Sequence, residues 1–319
     1  MKNLRLLFAL IIISPLSYSQ NLEEKLDEVK YRNIGPFRGG RSVSSVGVIG
    51  DPLTYYMGTV GGGLWKTTNA GVNWFNISDD YFKTSSVGAI AVAESDSKIV
   101  YVGMGEHAPR GVTTSYGDGV YKSTDAGETW EHIGLKNSGR ISRIIVHPDD
   151  PDKVYVGALG HAYSPQRDRG VYVSHDGGSS WKHTLFVDQN TGISDMVMDT
   201  DNPRVLFAGA WHLELKTWKR ISGGPGSGIF KSTDGGMTWD RLKGNGLPTR
   251  DIGKIALAMT PAAPDRLYAL IETGDGVPYE GRETDSGELW RSEDNGKTFK
   301  LINSNRDLGG RQAYYTRTT

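Results

Sequence analysis

The sequence predicts an all-β fold, a β-propeller of four-stranded blades with Asp-containing turns, five blades being visible along with the start of a sixth. Two observations carry the expectation. The phrase Ser/Thr-x-Asp/Asn-x-Gly-x-(Ser/Thr/Asn)-Trp/Phe occurs five times, at 67–74, 123–130, 174–181, 232–239 and 292–299. Its central residues, Asn69, Asp125, Asp176, Asp234 and Asp294, are spaced by 56, 51, 58 and 60 positions, a period that fits stacked four-stranded blades and no common helical repeat. Glycine, at 42 of 319 residues, is about twice its usual share, as turn-rich repeats require.

The phrase has a physical reason. A hairpin turn needs a short acceptor side chain for its own amides and a glycine where φ becomes positive; Asp125 and Gly127 supply both. The aromatic that follows opens the next strand and buries a large apolar face between neighbouring sheets. Asn69, Asp125, Asp176, Asp234 and Asp294 are therefore assigned to structure and not to a catalytic site.

Aligning the chain on these phrases places the other strands. Innermost strands fall at 42–48, 87–93, 141–147, 193–199 and 252–259, short and rich in Val, Ile, Ala and Met, as strands buried on both faces are. Turns with Asp and Pro follow, for example Asp51-Pro52 and Asp150-Pro151. Second strands fall at 55–58, 100–103, 154–157, 205–209 and 267–271. Third strands, at 63–66, 119–122, 170–173, 228–231 and 287–291, lead into the phrases, and the outer strands begin at the aromatic. Only 22–29 suggests a short helix.

With no cysteine, disulfides, thiolate catalysis and Cys-based zinc are excluded. A net charge of −1 provides no field for nucleic acid or an anionic membrane. Residues 1–20 read as a signal peptide: Lys2 and Arg5, the apolar run 6–13, then Pro15 and small polar residues, a segment too short to span a bilayer. The expected product is a secreted or periplasmic protein with a lead-in at 21–38 and the propeller at 39–319. Because 310–319 resemble the opening of another innermost strand, the propeller is expected to be incomplete at its C-terminus.

The phrases resemble the Asp-box (BNR) repeats shared by sialidases, xyloglucan-cleaving glycosidases, a photosystem assembly factor and sortilin-type receptors. A closer resemblance is to exported bacterial proteins with a sortilin N-terminal-like repeat, often labelled glycosyl hydrolase. It rests on Asn33-Ile34-Gly35-Pro36, Gly39-Gly40-Arg41, Gly61-Gly62-Gly63-Leu64-Trp65-Lys66, Gly103-Met104-Gly105-Glu106 and Tyr116-Gly117-Asp118-Gly119. The resemblance implies a propeller and leaves the activity open, because propellers host lectins, hydrolases and scaffolds alike.

Function is expected on the face opposite the turns, where the loops at 106–119, 160–170, 211–228 and 272–287 are long and rich in His, Arg, Trp and acids. Tyr163, Arg167, Trp211, Trp218 and Arg220 are the binding candidates, suited to stacking and charge-assisted bonds with a polypeptide or carbohydrate ligand. His107, His161 and His212, each six residues after Tyr101, Tyr155 and Leu206, form the one candidate metal set. Separate hydrogen bonds are the expected role for them, and no cofactor is expected.

Glycoside hydrolysis needs two carboxylates across a sugar. Glu106, Asp118, Asp168, Glu214, Glu280 and Glu283 lie on these loops, with Glu106 and Asp168 the catalytic candidates. Xyloglucan-cleaving relatives place a catalytic Asp in a first-blade Thr-Asp-Val-Gly-Gly phrase, where this sequence reads Thr59-Val60-Gly61-Gly62-Gly63. Sialidase-like carboxylate clamping would fall to Arg38 and Arg41, which are assigned instead to structure. The favoured expectation is a binding propeller without an evident catalytic set. The alternative is a xyloglucanase- or sialidase-like hydrolase completed by further sequence.

Overall fold

A computed structural model describes residues 40–109, 112–273, 287–305 and 308. Each repeat folds as one antiparallel sheet. The first contains β1 (Ser42–Val48), β2 (Asp51–Thr59), β3 (Leu64–Thr67) and β4 (Phe75–Asn76), and the second β5 (Val87–Val92), β6 (Val100–Met104), β7 (Val120–Ser123) and β8 (Glu131–His132). The third contains β9 (Ile141–His147), β10 (Asp150–Ala158), β11 (Gly170–Ser174) and β12 (Lys182–Leu185). In the fourth, β13 (Thr191–Met198), β14 (Leu206–Lys216), β16 (Gly228–Ser232) and β17 (Asp240–Arg241) are joined by β15 (Lys219–Ser222), which pairs with β14 alone. The fifth comprises β18 (Ile255–Thr260), β19 (Ala263–Ile271), β20 (Glu288–Ser292) and β21 (Lys300–Asn303). The protein is an all-β propeller. The helix suggested at 22–29 and the strand start at 310–319 lie outside the described residues.

The blades stack in chain order, each innermost strand against the next. Successive residues of a second strand point to opposite sheet faces, so each such strand feeds two interblade cores. Val100, Val102 and Met104 pack with Tyr56 and Leu64 of blade one, while Tyr101 packs with Ile144, Val154 and Val156 of blade three. Hydroxyls also cross between innermost strands. Ser142 Oγ donates to Ile193 O at 2.6 Å, and Ser194 Oγ donates to Ile255 O at 2.6 Å.

The five repeated turns share one bonding pattern. In the second, Ser123 Oγ donates to Asp125 Oδ1 at 2.7 Å, and the amides of Gly127 and Thr129 donate to Ser123 Oγ and Asp125 Oδ1 at 2.8 and 2.9 Å. Thr129 Oγ1 closes the ring on Asp125 Oδ2. These bonds, with the Thr129 hydroxyl first, hold the Asp125 carboxyl down to about 2. The aromatic is an interblade staple: Trp130 Nε1 donates to Ile77 O at 3.0 Å and Trp181 Nε1 to Ile133 O at 2.8 Å, each acceptor lying just past the outer strand of the preceding blade.

Three strand boundaries differ from the sequence expectation. The Asp-Pro turns are tighter, because Asp51 and Asp150 already pair with Val48 and His147 across two-residue connections. Blade five begins at Ile255, with Ile252 held by an isolated bridge to Gly224. The expected loop at 211–228 is largely a β-hairpin. Trp211, Leu213 and Leu215 are buried while His212, Glu214 and Lys216 alternate with them half-exposed, which is the period of a strand.

Candidate functional site

In an antiparallel blade the connection from second to third strand leaves at the end opposite the repeated turn. Among the described residues the candidate face is therefore formed by 105–109, 112–119, 159–169, the β14–β15 hairpin with 223–227, and the blade-to-blade connectors.

Between blades one and three this face is braced by buried charge. Glu106, 2% exposed, accepts Arg41 Nη2 at 2.5 Å and the amide of Ser115 at 3.1 Å. Arg140 is wholly buried and donates through Nε to Thr114 Oγ1 and through Nη1 to Gly160 O, at 3.0 and 3.1 Å. Its guanidinium sits 4.7 Å from the Tyr116 ring centre and 5.8 Å from that of Tyr163, a cation–π arrangement in a desolvated setting. Arg169, also wholly buried, donates to Asn190 O, Leu213 O and His161 O. Burial first, then Arg140, lowers its guanidinium to about 10. A guanidinium can bridge several carbonyls at once because its five donors are fixed in a plane.

Blades four and five enclose a second network. Trp211 is fully buried among Leu159, Ala162, Leu213 and Leu215, with Nε1 donating to Ser222 Oγ at 3.0 Å. Ser222 Oγ donates in turn to Glu272 Oε2 at 2.5 Å, which also accepts the Lys254 amide at 2.7 Å. Burial pushes the Glu272 carboxyl up to about 7. At the hairpin tip, Trp218 is 79% exposed, between Lys216 and Lys219.

The candidate binding residues thus separate. Trp218 and Arg167 are exposed, and Arg220 and Tyr163 half-buried, with Tyr163 Oη donating to Val112 O at 2.8 Å. Trp211 is corrected from a ligand platform to a core residue, because a strand side chain facing the sheet's apolar side has no path to solvent. Asp168 is half-buried and accepts Gln166 Nε2 at 3.1 Å. Asp118 accepts Thr84 Oγ1 and Tyr121 Oη, and Glu214 accepts from His212 and Lys216. Glu280, Glu283 and Arg38 lie outside the described residues. Arg41 donates to Glu106.

The histidine alignment also needs correction. The phrase serines pair with Val100, Val154 and Leu206, which makes Tyr101, Tyr155 and Phe207 equivalent. The residue six positions after Phe207 is Leu213, so His212 matches Glu106 and Gly160 and only His107 and His161 share a position. His107 is buried, His161 lies 5.0 Å from the Tyr116 ring centre, and His212 Nε2 meets Glu214 Oε1 at 3.1 Å. Among the described residues no three His, Asp or Glu side chains converge on a common point.

The buried cations Arg140, Arg169 and Lys254 are the residues that sequence reasoning missed. Gly40-Arg41, Gly139-Arg140 and Gly253-Lys254 each precede an innermost strand, and that recurrence was a legible signal. By the same register, Val60, Leu159, Trp211 and Glu272 are equivalent, so blade five carries a carboxyl where blade one carries valine.

No protein-family model matches the chain. A xyloglucanase of Acetivibrio thermocellus is 24% identical over 225 residues, covering 60% of this chain and 24% of that protein. A xyloglucanase of Paenibacillus sp is 26% identical over 230 residues, covering 70% of this chain and 18% of that one. An ancestral GH74 enzyme superposes with a TM-score of 0.61 at 20% identity, over 85% of this chain and 32% of the other. A GH74 enzyme of Niastella koreensis gives 0.60 at 17%, over 82% and 38%. The fold is that of the GH74 propellers. The chain spans about a quarter or less of the curated xyloglucanases it matches, and the likeness is therefore to one part of a GH74-type architecture.

Proposed function

We propose that this chain is the carbohydrate-directed propeller of an exported glycoside hydrolase, with a glucan of the xyloglucan type as its substrate class. The observation that carries the reading is the sequence likeness to two xyloglucanases over 60% and 70% of the chain. It favours the glycan over the polypeptide ligand and the hydrolase over the purely binding protein. Export by residues 1–20, the lead-in at 21–38 and the propeller at 39–319 belong to the same proposal.

In this reading the loop face holds the polysaccharide, with Trp218 stacking on a sugar ring and Arg167, Arg220 and Tyr163 bonding hydroxyls. The chemistry is completed from outside the described residues. Val60 has no proton to transfer, and Glu106 and Asp118 already spend their oxygens on fixed partners, whereas hydrolysis needs one carboxyl to protonate the leaving oxygen and another to activate water or attack.

The test is to assay the full-length protein on a panel of β-glucans. Reducing ends should appear with xyloglucan, and Trp218→Ala should raise KM by about tenfold while leaving the melting temperature in place. A protein that neither binds nor cleaves any member of the panel would refute the proposal.

A further inference from the structure

The longest of the four blade-to-blade connectors, residues 242–254, joins β17 to β18. Gly244, Asn245 and Gly246 turn it through three successive left-handed conformations, with φ of 70°, 57° and 92°. Asn245 O accepts the amide of Phe299 at 2.6 Å, which pins this turn to blade five. The connector, the start of β16 and the end of β19 together border a cavity of about 390 Å³ on the loop face, within the size range of small-ligand sites.

The lining has two halves. Ile229, Ile252 and Ile271, part of the core between blades four and five, give it an apolar floor. Arg241, Lys243 and Arg250 give it a basic wall. Asp251 also lines it, and Glu288 pairs with Arg250, so three cations face two anions and one positive charge is left over. Two of the five Arg241 N–H groups are spent on Pro225 O and Ser227 O, which fixes the guanidinium plane. Arg250 Nε lacks a hydrogen-bond partner among the described residues. A fixed guanidinium beside a surplus charge selects a carboxylate, and an apolar floor accepts the C–H face of a sugar ring.

We infer that this cavity is a subsite for a carboxylate-bearing monosaccharide, a uronic acid either free or ending a glycan branch. The inference rests on the loop face being the saccharide side, as in the reading above, and is independent of hydrolysis. One neutralised anion matches the one surplus cation, and the volume admits a single ring.

Calorimetric titration of the full chain with D-glucuronate, with D-glucose as the uncharged control, tests it. Glucuronate should bind saturably, about tenfold or more tightly than glucose, and weaken as salt is raised. Lys243→Ala, at an exposed position, and Arg241→Gln should each reduce glucuronate affinity by about tenfold. Methyl β-D-glucuronide separates the sources: affinity equal to the free acid identifies a branch end, and loss of affinity identifies the free sugar acid. Equal binding of glucose and glucuronate, no binding of glucuronate, or unchanged affinity in Lys243→Ala overturns the subsite. Cleavage of neutral xyloglucan should be untouched by Lys243→Ala. Glucuronate binding in a protein that cleaves no glucan would remove the hydrolase reading and leave this subsite standing.

Discussion

The repeated turn shows how one residue's backbone preference is settled by its neighbours. Its fourth and fifth positions both take positive φ: 61° and 91° at Ala126 and Gly127, 54° and 88° at Ala70 and Gly71, 68° and 94° at Gly177 and Gly178. A left-handed alanine costs about 1–2 kcal/mol relative to the right-handed region, and a glycine there costs less than that in lost chain entropy. Ala126 persists because its carbonyl accepts both Tyr56 Oη and Lys66 Nζ at 2.8 Å, which ties the turn to blade one. Ala126→Gly keeps that carbonyl and removes the strained Cβ, so it should stabilise the protein by up to about 1 kcal/mol, read as a rise in the denaturant midpoint at unchanged slope. A fall in the midpoint would show that the alanine methyl packs favourably there.

At the level of the element, the β14–β15 hairpin is the departure from the repeat. Other second strands stop near the sheet edge, whereas β14 continues to Lys216 and folds back through β15. Trp211 explains the extension, since its ring fills the space between Leu159 and Leu213 and its indole N–H meets Ser222 on the returning strand. Trp211→Ala should therefore cost about 3–5 kcal/mol, the usual range for removing a large buried aromatic, in a chemical-denaturation experiment. Trp218, on the same hairpin, should show no such cost. If Trp211→Ala left stability unchanged and weakened glycan capture instead, the buried assignment would be wrong. The sequence spacing of these two tryptophans gave no means of telling them apart; the direction of the strand's pleat does.

Across the whole molecule, stability depends on how blades are joined, and one joint is pH-sensitive. Glu272 lies between the hairpin of blade four and the start of blade five, and burial raises its carboxyl from 4.5 to about 7. A carboxyl raised on folding favours the folded state while it is protonated. Its contribution is complete below the unfolded value near 4.5 and is lost as pH rises through about 7. His161 acts in the opposite sense. Burial, then Arg140 and Arg169, lower its imidazole from 6.5, so its contribution is complete above about 6.5 and is lost as pH falls below that. Stability should decline between about pH 4.5 and pH 7 by on the order of 1–3 kcal/mol through Glu272, and Glu272→Gln should flatten that decline while leaving the contribution of His161 unaltered. A decline that persists in Glu272→Gln would assign it to another group.

Period, turn chemistry and apolar runs were enough to determine the blades, because each repeat's bonding is local: serine, aspartate and glycine within five residues of one another close the turn wherever it occurs. The strand bounds came within a few residues for the same reason, whereas short phrases such as 61–66 pointed to a repeat family and left the activity open. Which side chains face solvent was decided only by tertiary structure. Glu106 looked like a loop acid and Trp211 like an exposed aromatic, yet Arg41 from another blade encloses one and a strand extension buries the other. The basic cavity beside 242–254 likewise has no sequence signature, since Arg241, Lys243 and Arg250 become a site only when Phe299, about fifty residues on, fixes the connector's turn. Local hydrogen bonding is written in adjacent residues, whereas burial and the sign of a cavity depend on which distant segments the stacking of blades brings together.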